Sequence, residues 1–417
     1  MSLVTPRKGY KSVPWLFGKE IEIPEEWEVE KFRTKIKMEY GSGLTEDKRD
    51  NLKNPVYGSG GLIGLHSKPK VKGSGIIVAR KGSLGNVFFE KDDFFPIDTV
   101  YYITQKETEL NLKFLFYYLL HMKLENLRIV TSKPGISRED VYSYRILSIP
   151  LPEQQKITTI LSNVDNLIES TGKVITHSKK VKTGLMQKLL TRGIGHTKFK
   201  KVNFGRHFID YDIPEEWKIY RLGNHATVHG RIGWKNLRSN EYLEEGFLML
   251  SVWSLVETAS FGINYTEGIK RLSKFRYDES PEIQLQNNDI LIAKDGDIGR
   301  IGYIKNLPEP ATVNSHVVPV RVTDKIINPE FLYWFFKSKP FQTYCKAFTS
   351  GTTIPLFTQK DLRNCIIPIP KKEEQDKIVI VLSNIDAQID SQTQYKEKLE
   401  QLKKSLMQKL LTGEVRV

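Results

Sequence analysis

Two stretches of this 417-residue chain carry an apolar repeat that only a long, paired helix can bury. From Ile378 onward, Leu382, Ile385, Ile389, Gln392, Tyr395, Leu399, Leu402, Leu406 and Leu410 recur mostly in steps of four and three, the spacing of a coiled-coil seam. The series Ile157, Leu161, Val164, Ile168, Thr171, Ile175, Val181, Leu185 and Leu189 keeps much the same beat, with Lys179, Lys180, Lys182 and Lys188 around it. Each pattern predicts a helix of about 38 residues, roughly 57 Å long, well beyond the average globular helix. A lone helix of that length has nowhere to bury its stripe except on a similar partner, and the chain supplies one.

The two stretches are copies. Each follows a Pro-x-Pro, "IPLPEQQKITTILSNVDNLIE" in one and "IPIPKKEEQDKIVIVLSNIDAQID" in the other, and each closes on "LMQKLLT", at 185–191 and 406–412. The copying extends outside the helices. "IPEEWEVEKF" at 23–32 returns as "IPEEWKIYRL" at 213–222, and "VARKGSLGNV" at 78–87 returns as "IAKDGDIGRI" at 292–301. The separation between copies grows along the chain, as expected of two homologous domains that carry different insertions on one frame.

Within each half, "GSGIIVARKGSLGNVFFE" and "NDILIAKDGDIGRIGYI" read as apolar strands broken by glycine turns, whereas "LNLKFLFYYLLHMKLEN" and "PEFLYWFFKSKPFQTY" carry helical spacing. The expected fold is therefore α+β, with two homologous domains and two long antiparallel coiled-coil helices in pseudo-twofold arrangement. The expected boundaries are a first domain over 1–150, a central helix over 151–192, a linker and second domain over 193–370, and a C-terminal helix over 371–417.

Charge then suggests the partner. Lys and Arg number 63 against 49 Asp and Glu, a formal charge of +14 with a pI near 9.4, which puts a polyanion such as nucleic acid first. With 39% apolar and 11% aromatic residues, the chain is not a disordered basic tail. Two cysteines, Cys345 and Cys365, can form neither a disulfide framework nor a four-thiolate zinc site, and the opening residues hold no apolar stretch of signal-peptide length. A cytoplasmic protein without a membrane span is expected.

The duplicated "PEQQKI…LSNVDNLIE…LMQKLLT" and "EEQDKI…LSNIDAQID…LMQKLLTG", in this order of domains and helices, resemble the specificity subunit of type I restriction-modification systems over nearly the whole chain. The resemblance implies that each globular half is a target recognition domain for one part of a split, asymmetric double-stranded DNA sequence. It further implies that the helices separate the domains, fix the unread spacer and dock two methyltransferase subunits, with restriction subunits joining through the complex. No catalytic residue and no cofactor is implied for this chain; S-adenosylmethionine, ATP and Mg are expected in partner subunits.

Other readings are a self-contained restriction enzyme or methyltransferase with a coiled coil, and a coiled-coil adaptor that binds no DNA. "NPVY" at 54–57 resembles the Asn-Pro-Pro-aromatic loop of amino-methyltransferases, with Val56 in place of the second proline. The glycines of "GSGGLIG" miss the dinucleotide spacing, and a G-x-x-x-x-G-K-[ST] phosphate loop is absent from the sequence. Asp295 and Asp297 in "KDGDIG" align with Lys81 and Ser83, so the turn does not keep metal ligands between copies, and the eight histidines form no ligand-spaced pair.

DNA recognition calls for cations toward phosphates and paired donors and acceptors toward base edges. The first half offers Tyr57, Ser59, His66, Lys68, Lys70, Lys72, Arg80, Lys81, Lys133, Ser137 and Arg138. The second offers Arg231, Trp234, Lys235, Arg238, Lys270, Arg271, Lys294, Arg300, Ser315, His316, Thr352 and Thr353. Arg80 and Lys294 occupy the same turn in the two copies, which suggests a shared phosphate contact.

Overall fold

The computed structural model describes residues 6–15, 20–124, 135–203, 210–230, 237–256, 260–266, 268–347 and 357–417. The chain divides into two compact units, one made of residues 1–171 with 395–417 and the other of residues 172–394. Both long helices are present, at Leu151–Arg192 and Lys372–Leu411, and each gives one end to each unit.

The first unit holds an antiparallel four-stranded sheet in the order Glu39–Tyr40, Val100–Ile103, Gly75–Ala79, Val87–Glu90. Beside it lies a three-stranded sheet in the order Gly61–His66, Asn54–Gly58, Phe95–Pro96, its last pair parallel. The second unit repeats this plan. Its four strands run Ala226–Val228, Val317–Val322, Ile290–Ala293, Ile301–Tyr303, and its three run Lys270–Leu272, Phe247–Leu250, Ala311–Val313, the last pair again parallel. The strands Gly75–Ala79 and Ile290–Ala293 are buried throughout, which is why they read as continuous apolar runs.

A short helix in each unit, Leu112–Met122 or Pro329–Lys337, joins the sheet to the long helices. Asn111 and Asn328 cap these helices, their side-chain oxygens accepting from Phe114 N–H at 2.9 Å and Glu330 N–H at 2.9 Å. The backbone N–H of each cap donates to a buried glutamine of a long helix, Gln154 at 2.8 Å and Gln375 at 2.7 Å. The repeated "EQQK" and "EQDK" are thus the fittings that hold domain to helix.

A second fitting explains "IPEEW". The buried indoles of Trp27 and Trp217 donate to Glu153 at 3.0 Å and Glu374 at 3.2 Å, each carboxylate in the first turn of its long helix. The carboxylate receives a cation or imidazole as well: Arg416 reaches Glu153 at 3.1 Å, and His196 reaches Glu374 at 3.0 Å. Each unit is therefore closed by chain that follows the end of the other repeat's helix. Gly193 and Gly413 make those closures possible. Both have positive φ, +64° and +76°, and a Cβ would stand 2.9 Å from the Trp217 or Trp27 ring.

The seam differs in part from the sequence expectation. Ile157, Leu161, Val164, Ile378, Leu382, Ile389, Leu399 and Leu410 are buried, but Val181, Tyr395 and Leu402 are exposed. Lysines take the inward positions one residue later. The half-buried Lys182 ammonium meets Asp386 and lies 5.0 Å from the Trp334 ring, and that of Lys403 meets Asp165 at 2.6 Å and lies 5.5 Å from the Tyr117 ring. Aliphatic stems fill the seam while the charged ends find acid and aromatic face. On the outside, exposed apolar residues fall in heptad steps, Val181 with Val174 on one helix and Leu402 with Tyr395 on the other.

Candidate nucleic-acid interface

The parallel strand pair in each unit ends on an edge where four pieces of chain converge. In the first unit, Ser59 follows the strand Asn54–Gly58, and its hydroxyl donates to the Thr99 carbonyl at 3.0 Å. That carbonyl also accepts Arg80 N–H at 3.1 Å, while Ile136 N–H donates to the Arg80 carbonyl at 3.1 Å. The second unit repeats the hook: Lys294 N–H donates to the His316 carbonyl at 3.0 Å, and Phe357 N–H to the Lys294 carbonyl at 3.1 Å. Arg80 and Lys294 are thus structural equivalents, as are Thr99 and His316, and Ile136 and Phe357.

What this edge presents differs between units. In the first, the half-exposed Tyr40 collects cations: the Arg138 guanidinium carbon lies 4.3 Å from its ring centroid and that of Arg80 5.0 Å. Lys70 donates to the Tyr40 carbonyl at 2.9 Å. The two guanidiniums donate to main-chain carbonyls, Arg80 to Asp98 and Arg138 to Met38, each at 3.1 Å. Burial pushes the neighbouring Tyr101 phenol up to about 12, with Tyr40 adding to the shift and Arg80 opposing it.

In the second unit the same places hold other residues. Ser137 and Thr358 both start a short helix with a capping box, to Asp140 and Asp361, so Gln359 stands where Arg138 does. Val318 is the equivalent of Tyr101, and Gly230, two residues beyond the last strand pair, Val228 with Val320, lies beside it as Tyr40 lies opposite Tyr101, a Cβ on it falling 3.6 Å from the Val318 side chain. A Cβ on Gly230 would come within 2.5 Å of the Gln359 amide, which covers the space that the tyrosine ring fills in the first unit. Around it are Lys294, the half-buried Ser315, and His316, whose ring meets Asp295 at 2.7 Å. One scaffold therefore shows a cation-rich aromatic surface in one copy and an amide, lysine and imidazole surface in the other.

Other residues named from sequence fall elsewhere or have structural partners. Tyr57 donates to Glu90 at 2.8 Å and packs on Phe88 and Phe94; His66 sits 3.5 Å from Asp50. Lys68, Lys72 and Lys81 are exposed, and the Ser137 hydroxyl serves its helix cap. Arg271 makes a two-pronged pair with Glu309 at 2.8 Å, beside Lys270 and the turn of Arg238, on the outer strand of the three-stranded sheet and away from the edge. Arg300 pairs with Asp297 at 2.6 Å. Lys133, Arg231, Trp234, Lys235, Thr352 and Thr353 lie outside the described residues.

The sequence reading missed Tyr40 and Trp253. Tyr40 precedes a Gly-Ser-Gly and is legible as a site only once Arg80 and Arg138 are seen to fold onto it. Trp253 stands between serines in "SVWS" and is 84% exposed.

The "NPVY" segment is strand, and its Asn54 is buried with the amide nitrogen donating to the His66 and Ser67 carbonyls at 3.0 and 2.7 Å. Among the described residues, no group of three or more His, Cys, Asp and Glu is placed to hold a metal ion, and no helix is long and apolar enough to cross a membrane.

Comparison with known proteins adds to this geometry. A family profile described as "Type I restriction modification DNA specificity domain" matches residues 24–177 and again 214–401. The type I restriction enzyme MjaVIII specificity subunit of Methanocaldococcus jannaschii is 30% identical over 417 residues, 95% of each chain. The type I restriction enzyme EcoBI specificity subunit of Escherichia coli is 24% identical over 69% of this chain and 62% of its own. The crystal structure of the type I restriction-modification S subunit from M. genitalium superposes with a TM-score of 0.61 at 18% identity, covering 93% of this chain and 96% of that one.

Proposed function

The chain belongs to the type I restriction-modification DNA specificity family, and from that premise we propose that it reads a two-part, asymmetric double-stranded DNA target, one part with each unit. The observation that carries this reading is the shared edge with exchanged contents: Tyr40, Arg80 and Arg138 in one copy correspond to Gly230, Lys294 and Gln359 in the other. A common backbone hook fits a common task of meeting phosphates, and different side chains on it fit different base pairs. In the first unit Arg80, Arg138 and Lys70 supply cations around Tyr40. In the second, Lys294 takes the phosphate, and Ser315, His316 and Gln359 offer donors and acceptors to base edges.

The long helices serve assembly. Val174 and Val181, and their counterparts Tyr395 and Leu402, leave a heptad-spaced apolar pair exposed on each helix, which suits a partner's helix laid along it. The partner we propose is a methyltransferase subunit, docked on each pair, with restriction subunits joining through it. Chemistry and its cofactors, S-adenosylmethionine, ATP and Mg, then reside in those partners, and this chain contributes recognition without catalysis, in the cytoplasm.

The test is to co-express the chain with the methyltransferase subunit encoded beside its gene, purify the complex, and map methylated bases on random-sequence DNA. A two-part motif with a constant unread gap is expected. Copurification with methylation at a single continuous motif would exclude the two-unit reading.

A further inference from the structure

The second unit presents a tryptophan to solvent at the recognition edge. Trp253 is 84% exposed, whereas Trp27, Trp217 and Trp334 are buried. So large an apolar ring held in water costs hydrophobic free energy that the fold could recover by tucking it in, and an isolated aromatic of this kind is common at recognition surfaces.

Its place and rigidity make it a presented group. The strand Phe247–Leu250 runs parallel to Ala311–Val313, and Asn314 N–H donates to the Leu250 carbonyl at 3.0 Å. Trp253 thus comes just beyond the end of this pair, where Asn314 leads into Ser315 and His316, whose carbonyl holds Lys294. The turn Val252–Ser254 is fastened on both sides. Ser254 N–H donates to the Ser251 carbonyl at 2.9 Å, and Ser251 N–H to the Ser254 hydroxyl at 3.0 Å. Asn264 N–H donates to the Ser254 carbonyl at 2.8 Å, and Ser254 and Leu255 are buried. Backbone and neighbours are fixed, and the indole alone projects.

We propose that Trp253 is a base-contacting specificity residue of the second unit, its indole making apolar contact with a base of that unit's part of the DNA target. Lys294 supplies a cation for a phosphate of duplex DNA at this edge, and the apolar face of the indole offers contact to a thymine methyl or an exposed base face. Counting from the parallel pair, Gly60 occupies the corresponding position in the first unit, so the contact belongs to one part of the target only. The inference rests on the proposed function, and its test separates the two.

The experiment compares the wild-type complex with Trp253→Ala, Trp253→Phe and Phe275→Ala, each co-expressed with the methyltransferase subunit, by methylation mapping on random-sequence DNA. Phe275 is a matched control: it is 73% exposed, but it follows the strand Lys270–Leu272 beyond the opposite end of Phe247–Leu250. In Trp253→Ala, preference at one base pair, or two adjacent ones, of one half of the motif should fall roughly tenfold to a hundredfold. The other half and the gap should persist, Trp253→Phe should retain part of the preference, and Phe275→Ala should match wild type. A Trp253→Ala complex whose motif is identical to wild type overturns the inference and leaves the reading intact. A wild-type complex without a two-part motif overturns the reading itself.

Discussion

Asp165 and Lys403 lie 2.6 Å apart across the two long helices, and 17 residues further along the first helix Lys182 meets Asp386, 17 residues earlier in the second. Asp165 and Asp386 are copies of one another, as are Lys182 and Lys403. Each acid therefore pairs with the other copy's lysine, which is the signature of two equivalent helices packed antiparallel in one register. Reversing one charge, Asp165→Lys, should destabilise the first unit by about 1–2 kcal/mol, because the pair is largely shielded. The double variant Asp165→Lys with Lys403→Asp should recover most of that loss in a denaturant titration.

The buried tryptophan clasp should matter more. Trp27→Phe keeps an aromatic side chain but removes the N–H that satisfies Glu153, leaving the carboxylate with Arg416, and opens a small void where the indole was larger. A loss of about 1–3 kcal/mol is expected, read from denaturant midpoints, and Trp217→Phe should act similarly on the second unit through Glu374. A loss confined to one of the two variants would show that the clasps are not equivalent.

On DNA, Arg80→Ala and Lys294→Ala should each weaken binding across sequences and reduce the salt slope by roughly one unit, as expected when one phosphate is no longer neutralised. Arg138→Gln, which gives the first unit the amide of the second, should instead change one half of the methylation motif and leave the other alone.

Acid should loosen the second unit's outer strand. The Arg271 guanidinium holds Glu309 below its ordinary value of 4.5. The pair's contribution is present above that value and is lost as pH falls through the lower, folded one. Glu309→Gln should remove this part of the acid dependence, measurable by amide exchange in strand Lys270–Leu272.

The exposed apolar pairs can be tested separately from folding. Val174→Asp or Tyr395→Asp should abolish copurification with the methyltransferase subunit while leaving the thermal midpoint within a few degrees of wild type, because neither side chain is in the seam.

Reading the sequence reached the two long helices because a seam in steps of four and three survives any surface variation. It put Val181, Tyr395 and Leu402 inside because apolar letters were given priority over lysine; Lys182 and Lys403 win those positions through their stems, their acids and the rings of Trp334 and Tyr117. The turn of Arg80 and Lys294 was visible in its matched glycines. Tyr40 was not, because its partners Arg80 and Arg138 reach it only through sheet pairing and a distant helix cap, and Trp253 was not, because exposure has no letter code.

The constancy of the helix register has a consequence for how such a chain can change. Glu153 and Glu374, Lys182 and Lys403, and Leu189 and Leu410 are all separated by 221 residues, whereas Trp27 and Trp217 are separated by 190. One residue added to either helix would turn everything beyond it by about 100° and take the seam out of step with its partner. The loops between strands carry no such debt. Between the two copies the separation rises from 190 at the tryptophans to 221 at the start of the long helices, so the added residues all lie among the strands, while the joint that holds the chain together stays in frame.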